Sequence, residues 1–302
     1  MEPAYLSLSE NEWKERIDKA FELVKKCRLC PNECGVNRLV GEIGRCGIAG
    51  EVVISSFAPH YGEEPMLSGF RGSGTIFFTG CPLSCVYCQN YDISQERRGY
   101  AISGERLSNV MFFLQESGTH NINLVTPTHL VPWILEAIHI SAEKGLKLPI
   151  VYNTSGYESV EVLQLLSGIV DIYLPDFRYS DDGIGEKYSG IKGYATKAKQ
   201  ALLEMFNQVG ELVVDERGIA KRGVIVRLLV LPGDLGGTKE ILDFLAEHTQ
   251  SRIYLSIMAQ YRPAYRAWDY PEIAKGVSWE EYLSVVKKAE SLGFPYYAQG
   301  VP

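Results

Sequence analysis

The sequence predicts an α/β fold, a partial (β/α)6 barrel of the TIM type behind a small cysteine-rich extension. Three observations carry this expectation. From residue 75 onward, short apolar runs alternate with stretches of helical periodicity, giving six strand–helix units. Several runs are continuously apolar, as in a parallel sheet whose outer face is covered by helices. Six units are too few for the closed eight-stranded barrel, so the expected barrel is open. The 302 residues are enough for one large domain, or a large and a small one. The expected division is residues 1–70 as an N-terminal helix and cysteine-rich extension, and residues 71–302 as the barrel.

In chain order, Ser9 and Glu12 have the spacing of a capping box, and Trp13, Ile17, Ala20, Phe21 and Val24 follow at helical intervals. This helix leads into Cys27-Arg28-Leu29-Cys30-Pro31 and a Gly- and Cys-rich stretch up to residue 50. Val52-Val53-Ile54 is a short strand, and residues 69–74 form a Gly-rich connection. The expected barrel strands are residues 75–79, 122–125, 149–152, 170–174, 224–231 and 252–257. Helices are expected over residues 107–116, 131–144, 159–166, 197–206, 239–248 and 280–292.

The net charge of −7 gives no general electrostatic reason to expect a nucleic-acid partner. No apolar run reaches 18 residues, so no membrane-spanning helix is expected. Residues 1–26 are polar and helix-like rather than a signal peptide, which predicts a cytoplasmic protein. The seven cysteines are odd in number and clustered: four lie in residues 27–46, three in residues 81–88, and none follows. Such clustering points to metal rather than to disulfides.

Cys81, Cys85 and Cys88 follow directly on the first barrel strand, at the strand end where barrel enzymes place their active sites. Spacings of three and two residues suit a loop wrapped around a 4Fe–4S cluster. Such a cluster needs four outer ligands, so a local set of three leaves one iron open. The three positions would also share one face of a helix, but Gly80 and Pro82 start a helix poorly there. A zinc ion would lack a nearby fourth ligand.

Together with Gly62-Glu63-Glu64-Pro65, Gly72-Ser73-Gly74-Thr75-Ile76-Phe77-Phe78 and Gln89-Asn90, and on along the barrel to Tyr261, this loop resembles the radical S-adenosylmethionine enzymes. Within them it is similar to pyruvate formate-lyase activating enzymes, in a branch with an N-terminal four-cysteine cluster. The resemblance implies a radical SAM barrel and an oxidoreductase-type activity. It implies S-adenosylmethionine chelated to the open iron, its reductive cleavage to a 5′-deoxyadenosyl radical, and hydrogen abstraction from a substrate. By analogy alone the substrate is a glycine of a partner protein. The alternatives are radical chemistry on a small molecule, and an iron–sulfur electron-transfer protein without cleavage. An electron donor such as a flavodoxin or ferredoxin is implied.

The resemblance also implies site residues. Tyr87 lies near the adenine. Relatives end the second strand in Gly-Gly-Glu; here Thr126-Pro127-Thr128-His129 stands in that place, with Thr126, Thr128 or His129 as substitutes and a helix-start or structural role as the alternative for His129. Asn153-Thr154-Ser155-Gly156 replaces Asp-Thr-Asn-Gly, and Asp176-Phe177-Arg178 replaces Asp-Leu-Lys, which puts the relatives' monovalent cation site in doubt. Arg227 corresponds to an arginine that meets the methionine carboxylate, and Met258, Gln260 and Tyr261 end the sixth strand.

Cys27, Cys30, Cys34 and Cys46 supply four thiolates, enough for a structural zinc ion or a second iron–sulfur cluster. Spacing alone does not separate the two, and zinc is slightly favoured. His60, Glu63 and Glu64 are expected close to the substrate mouth.

Overall fold

Ten strands pair side by side in the computed structural model, which describes residues 1–299. They are β1 (Val52–His60), β2 (Ser73–Phe78), β3 (Tyr100–Ile102), β4 (Ile122–Val125), β5 (Ile150–Thr154), β6 (Ile172–Pro175), β7 (Val213–Val214), β8 (Ala220–Leu229), β9 (Tyr254–Met258) and β10 (Tyr296–Gln299). The sheet order is β10-β9-β8-β6-β5-β4-β2-β1-β3, with β7 on β8, and the sheet does not close. From β2 through β10 along this order every pairing is parallel. The helices are α1 (Glu10–Lys25), α2 (Pro65–Ser68), α3 (Tyr91–Ser94), α4 (Gly104–Glu116), α5 (Val131–Glu143), α6 (Val160–Leu166), α7 (Asp182–Ser189), α8 (Tyr194–Val209), α9 (Thr238–Thr249) and α10 (Trp279–Ser291).

The open, mostly parallel α/β barrel is as expected, with two differences. A seventh parallel strand, β10, pairs with β9 through Tyr296↔Leu255 to Gln299↔Met258. Its short run after Gly293 and Pro295 has little apolar character, and only the exposed edge of β9 recruits it. Helix α7 also lacks a local signal, because Gly183 and Gly185 interrupt its periodicity. The last three positions of the expected 71–302 segment lie outside the described residues.

The strands face two ways. Ile150, Tyr152, Tyr173, Val224, Val226, Leu255 and Ile257 join the main core under the helices. Their alternating neighbours Val151, Ile172, Leu174 and Ile225 form a second buried cluster with Leu67 on the inner face. Continuing the alternation by two residues brings Asn153, Asp176 and Arg227 to that inner face, nearer the strand ends. The period-two geometry of the strands thus delivers polar groups above an apolar floor.

The N-terminal segment shares the main core with the barrel. Helix α1, closed by the Ser9/Glu12 capping box, packs on α5 and α6. Trp13 stacks on His139 with ring centres 5.1 Å apart, and Phe21 meets Trp133 edge-on at 5.6 Å. Arg38 is fully buried. It donates to the carbonyls of Ile48 (3.1 Å), Ala49 (2.8 Å) and His129 (2.5 Å), and lies over the Trp133 ring. A buried guanidinium needs such partners, and two of them, His129 and Trp133, bind the extension to the barrel.

Candidate active site

Strand β2 leads into the three-cysteine loop through Gly80, whose φ of +83° no L-residue adopts readily; a Cβ there would also meet the Cys46 carbonyl oxygen at 2.6 Å. The loop is held from the side by the end of α7, with Ser84 N–H donating to Ser189 O (2.9 Å) and Val86 N–H to Tyr188 O (2.8 Å). Each thiol has one polar neighbour: Leu83 N–H at 3.4 Å from Cys81 Sγ, Ser189 Oγ at 2.9 Å from Cys85 Sγ, and Ser94 Oγ at 3.2 Å from Cys88 Sγ. Burial pushes the Cys81 and Cys85 thiols up, so a metal must displace protons to bind. No three thiol sulfurs among the described residues lie within 4.8 Å of one another. Four thiolates around one zinc, at Zn–S of about 2.3 Å, sit about 3.8 Å apart, so this loop is too open for a single ion and suits a larger cluster.

The three thiols face a cavity of about 230 Å³. Tyr87, Thr126, Asn153, Thr154, Asp176, Arg178, Arg227 and Gln260 also line it, with Ser155, Met258 and Tyr261. Asp176 joins two guanidiniums, accepting from Arg178 Nη2 and from Arg227 Nε (2.8 Å). Arg227 Nη2 donates to Asn153 Oδ1 at 2.6 Å, so two of its nitrogens are hydrogen-bonded and the third, Nη1, stands 3.8 Å from Glu63 Oε2. Arg178 Nε and Ser155 Oγ are buried with no hydrogen-bond partner among the described residues. Buried polar atoms are rarely left so, and these two border a cavity open to a polar ligand. Thr126 has φ of +59°, strained for a β-branched residue. Tyr87 presents its ring to the cavity; its hydroxyl pairs with Tyr179 Oη at 2.5 Å, and that hydroxyl reaches Ser189 Oγ at 2.8 Å.

Two expectations need correction, for Thr128 and for the 60–64 segment, while His129 takes the structural role that was its alternative. Thr128 is buried away from the cavity and donates to Glu158 Oε1 at 2.5 Å, because the chain turns inward after Pro127. His129 is likewise buried, with Nε2 on the Thr79 carbonyl at 2.9 Å; burial and the neighbouring Arg38 lower its pKa to about 3, so it packs behind the loop as a neutral ring. His60, Glu63 and Glu64 are not at the mouth. Strand β1 runs antiparallel to β2, pairing His60 with Ser73 at the start of β2, which puts the 61–64 turn at the opposite end of the barrel. From there Glu63 still reaches the cavity-lining Arg227, its Oε2 lying 3.8 Å from Nη1, so the turn approaches the site from below rather than at its mouth.

Glu158 and Ser189 were not anticipated. Glu158 is buried under the β5 end and accepts from Thr128, Thr154 and Tyr152. Burial, opposed by these hydroxyls, pushes its carboxyl up to about 7. Neither residue belongs to a periodic or metal-spaced pattern, so no local signal marks them.

The other four thiols also gather in one place. Cys27, Cys30 and Cys46 are buried and Cys34 is half-buried, and all four are free. Backbone bonds from Cys27 N–H to Val36 O (2.8 Å) and Gly35 N–H to Cys27 O (3.0 Å) fold the knuckle, and Arg45 N–H lies 3.3 Å from Cys34 Sγ. Burial pushes Cys30 up to about 12 and raises Cys46, and the other thiols of the set add to both shifts.

Comparison with known proteins adds three findings. Residues 75–210 match the model of the radical SAM superfamily. The chain is 32% identical over 285 residues to an uncharacterized protein of Methanocaldococcus jannaschii, covering 91% of this chain and 77% of that protein. A radical SAM methyltransferase of Sphaerobacter thermophilus shares the fold at a TM-score of 0.50 and 14% identity, over 74% of this chain and 65% of the methyltransferase. The chain thus spans slightly less than two thirds of that enzyme. No helix among the described residues is long and apolar enough to cross a membrane.

Proposed function

Because the chain belongs to the radical SAM superfamily, we propose that it cleaves S-adenosylmethionine on a 4Fe–4S cluster held by Cys81, Cys85 and Cys88. One observation carries the reading. Three thiols from a single loop face polar groups from the ends of β4, β5, β6, β8 and β9 across one cavity. When bound there, the reduced cluster supplies one electron to the sulfonium, which separates into methionine and a 5′-deoxyadenosyl radical.

The chain's own residues bind and orient the cofactor. Three cysteines occupy three irons and leave the fourth for the amino and carboxylate groups of S-adenosylmethionine. Arg178, through its unpartnered Nε, and Arg227, through its remaining donors, attract the carboxylate, and Asp176 fixes both side chains. The strained turn at Thr126 takes the place of the relatives' Gly-Gly-Glu contact to the amino group. Asn153 and Thr154 line the same side, and Gln260 the opposite one. Tyr87, edge-on to Tyr261 with ring centres 5.8 Å apart, offers the adenine an aromatic wall.

A glycine of a partner protein is the substrate this reading favours, on the resemblance of the loop and strand-end motifs to activating enzymes. It brings with it an oxidoreductase activity, an electron donor of the flavodoxin or ferredoxin class, and a cytoplasmic setting. The deciding experiment is anaerobic incubation of the reconstituted protein with reductant and S-adenosylmethionine. The expected results are 5′-deoxyadenosine and a cluster electron paramagnetic resonance signal that changes on adding S-adenosylmethionine. An unchanged signal at saturating cofactor, with no product, would overturn the reading.

A further inference from the structure

The four-thiol knuckle and the three-thiol loop are in direct contact, and the contact runs from sulfur to sulfur. Asn32 Nδ2 lies 3.6 Å from Cys30 Sγ and donates to the Pro82 carbonyl at 2.9 Å. That carbonyl belongs to the Pro82–Leu83 peptide, whose N–H donates to Cys81 Sγ at 3.4 Å. One carboxamide and one peptide group therefore connect the two sites with no gap. Arg45 reinforces the junction, with Nε on the same Pro82 carbonyl at 3.2 Å and its backbone N–H on Cys34 Sγ.

The knuckle shares a second feature with the loop. Its four thiols are buried or half-buried within residues 27–46, yet no three of their sulfurs lie within 4.8 Å of one another. A tetrahedral zinc ion would draw all four to about 3.8 Å, given Zn–S bonds of about 2.3 Å. A set wider than one zinc ion draws together leaves room for a larger group, and four cysteines are the complete complement of a four-iron cluster.

We propose that Cys27, Cys30, Cys34 and Cys46 hold a second 4Fe–4S cluster, and that Asn32 and the Pro82–Leu83 peptide conduct electrons from it to the site at Cys81. This rests on the reading of the Cys81 loop as the catalytic cluster. One electron leaves a reduced one-electron donor of the ferredoxin or flavodoxin class and lowers the knuckle cluster's charge by one unit. The electron then crosses to the Cys81 site, reoxidising the first cluster as it reduces the second. No bond is made or broken and no proton is required. Cys34, the half-exposed member of the set, marks the entry side.

The test begins with full-length protein purified anaerobically from iron-replete cells, before any reconstitution. Two four-iron clusters predict about eight irons and eight sulfides per chain. About four irons with one zinc per chain would overturn the inference. The variant carrying Cys81→Ala, Cys85→Ala and Cys88→Ala should retain about four irons and a signal indifferent to S-adenosylmethionine. Loss of the S-adenosylmethionine response in the wild type would defeat the catalytic reading instead, whatever the knuckle binds. Asn32→Leu tests conduction. At unchanged iron content, reduction of the Cys81 cluster by reduced ferredoxin in stopped flow should slow tenfold or more, and an unchanged rate would exclude this path.

Discussion

The protein contains two thiol sites that differ in completeness and in surroundings. The loop at Cys81 supplies three sulfurs and opens onto a cavity edged by two arginines, an aspartate and an asparagine. The knuckle at Cys27 supplies four, and its neighbours are mainly backbone groups, the Arg45 N–H and the Asn32 carboxamide. An incomplete ligand set beside unpartnered polar atoms leaves room for a ligand to bind iron; a complete set buried in backbone leaves none. Under the proposed function, chemistry and conduction fall at different ends of one short hydrogen-bonded bridge.

The largest contrast comes from single cysteine replacements. Cys85→Ala should abolish 5′-deoxyadenosine formation altogether, because a two-thiol loop cannot hold the cluster. Cys30→Ala should keep the response of the Cys81 signal to S-adenosylmethionine but destabilise the fold by about 3 kcal/mol or more, since a closed metal site contributes to folding. Chromatography of the product and thermal denaturation under nitrogen would check the pair. If both variants lost activity alike when a small-molecule reductant such as dithionite replaces the protein donor, the division of roles would fail.

Glu158 makes the loop side sensitive to pH, as Asp171, raised to about 6 by burial, does the junction with the N-terminal segment. The folded Glu158 carboxyl titrates near 7, above the ordinary carboxylate value, so the folded state binds a proton more tightly than the unfolded one. The contribution is full below the unfolded value of about 4.3 and is lost as pH rises through 7. The size of the loss is on the order of 3 kcal/mol. Denaturant titrations at pH 5 and 8 should show this fall in the wild type, and Glu158→Gln should flatten it.

Next in size, Arg227→Met should weaken S-adenosylmethionine binding by about 1.5–3 kcal/mol, roughly tenfold to hundredfold, while leaving the iron content intact. Anaerobic calorimetry would show it; wild-type affinity would mean that Arg227 only fixes Asp176 and that Arg178 holds the carboxylate. The smallest effect is at Thr126. Relief of its left-handed backbone by Thr126→Gly, less the entropy cost of glycine, should stabilise the protein by about 0.5–1 kcal/mol. Unchanged cofactor affinity in this variant would assign the contact to the main chain, and a loss would assign it to the hydroxyl.

Both thiol sets were legible in the sequence because ligand spacing is local. Three residues within one loop, or four within one knuckle, reach a common centre whatever the rest of the chain does. The open α/β barrel was legible for a related reason, since apolar runs and helical periodicity are properties of short windows. Asn153, Asp176 and Arg227 could be placed by strand alternation once their strands were identified.

What depended on pairing was not legible. Strand β1 could run either way beside β2, and only the antiparallel choice brings the 61–64 turn in from the far end of the barrel, so that Glu63 meets Arg227 from below instead of standing at the mouth. Thr126 and Thr128 stand two residues apart with the same side chain, and the turn at Pro127 aims one at the cavity and the other at Glu158. The Asn32–Pro82 bridge joins residues 50 positions apart. Sequence alone determined which atoms could bind metal. Tertiary structure decided which polar groups face them and how the two sites connect, because long-range contacts depend on the packing of whole elements rather than on residue spacing.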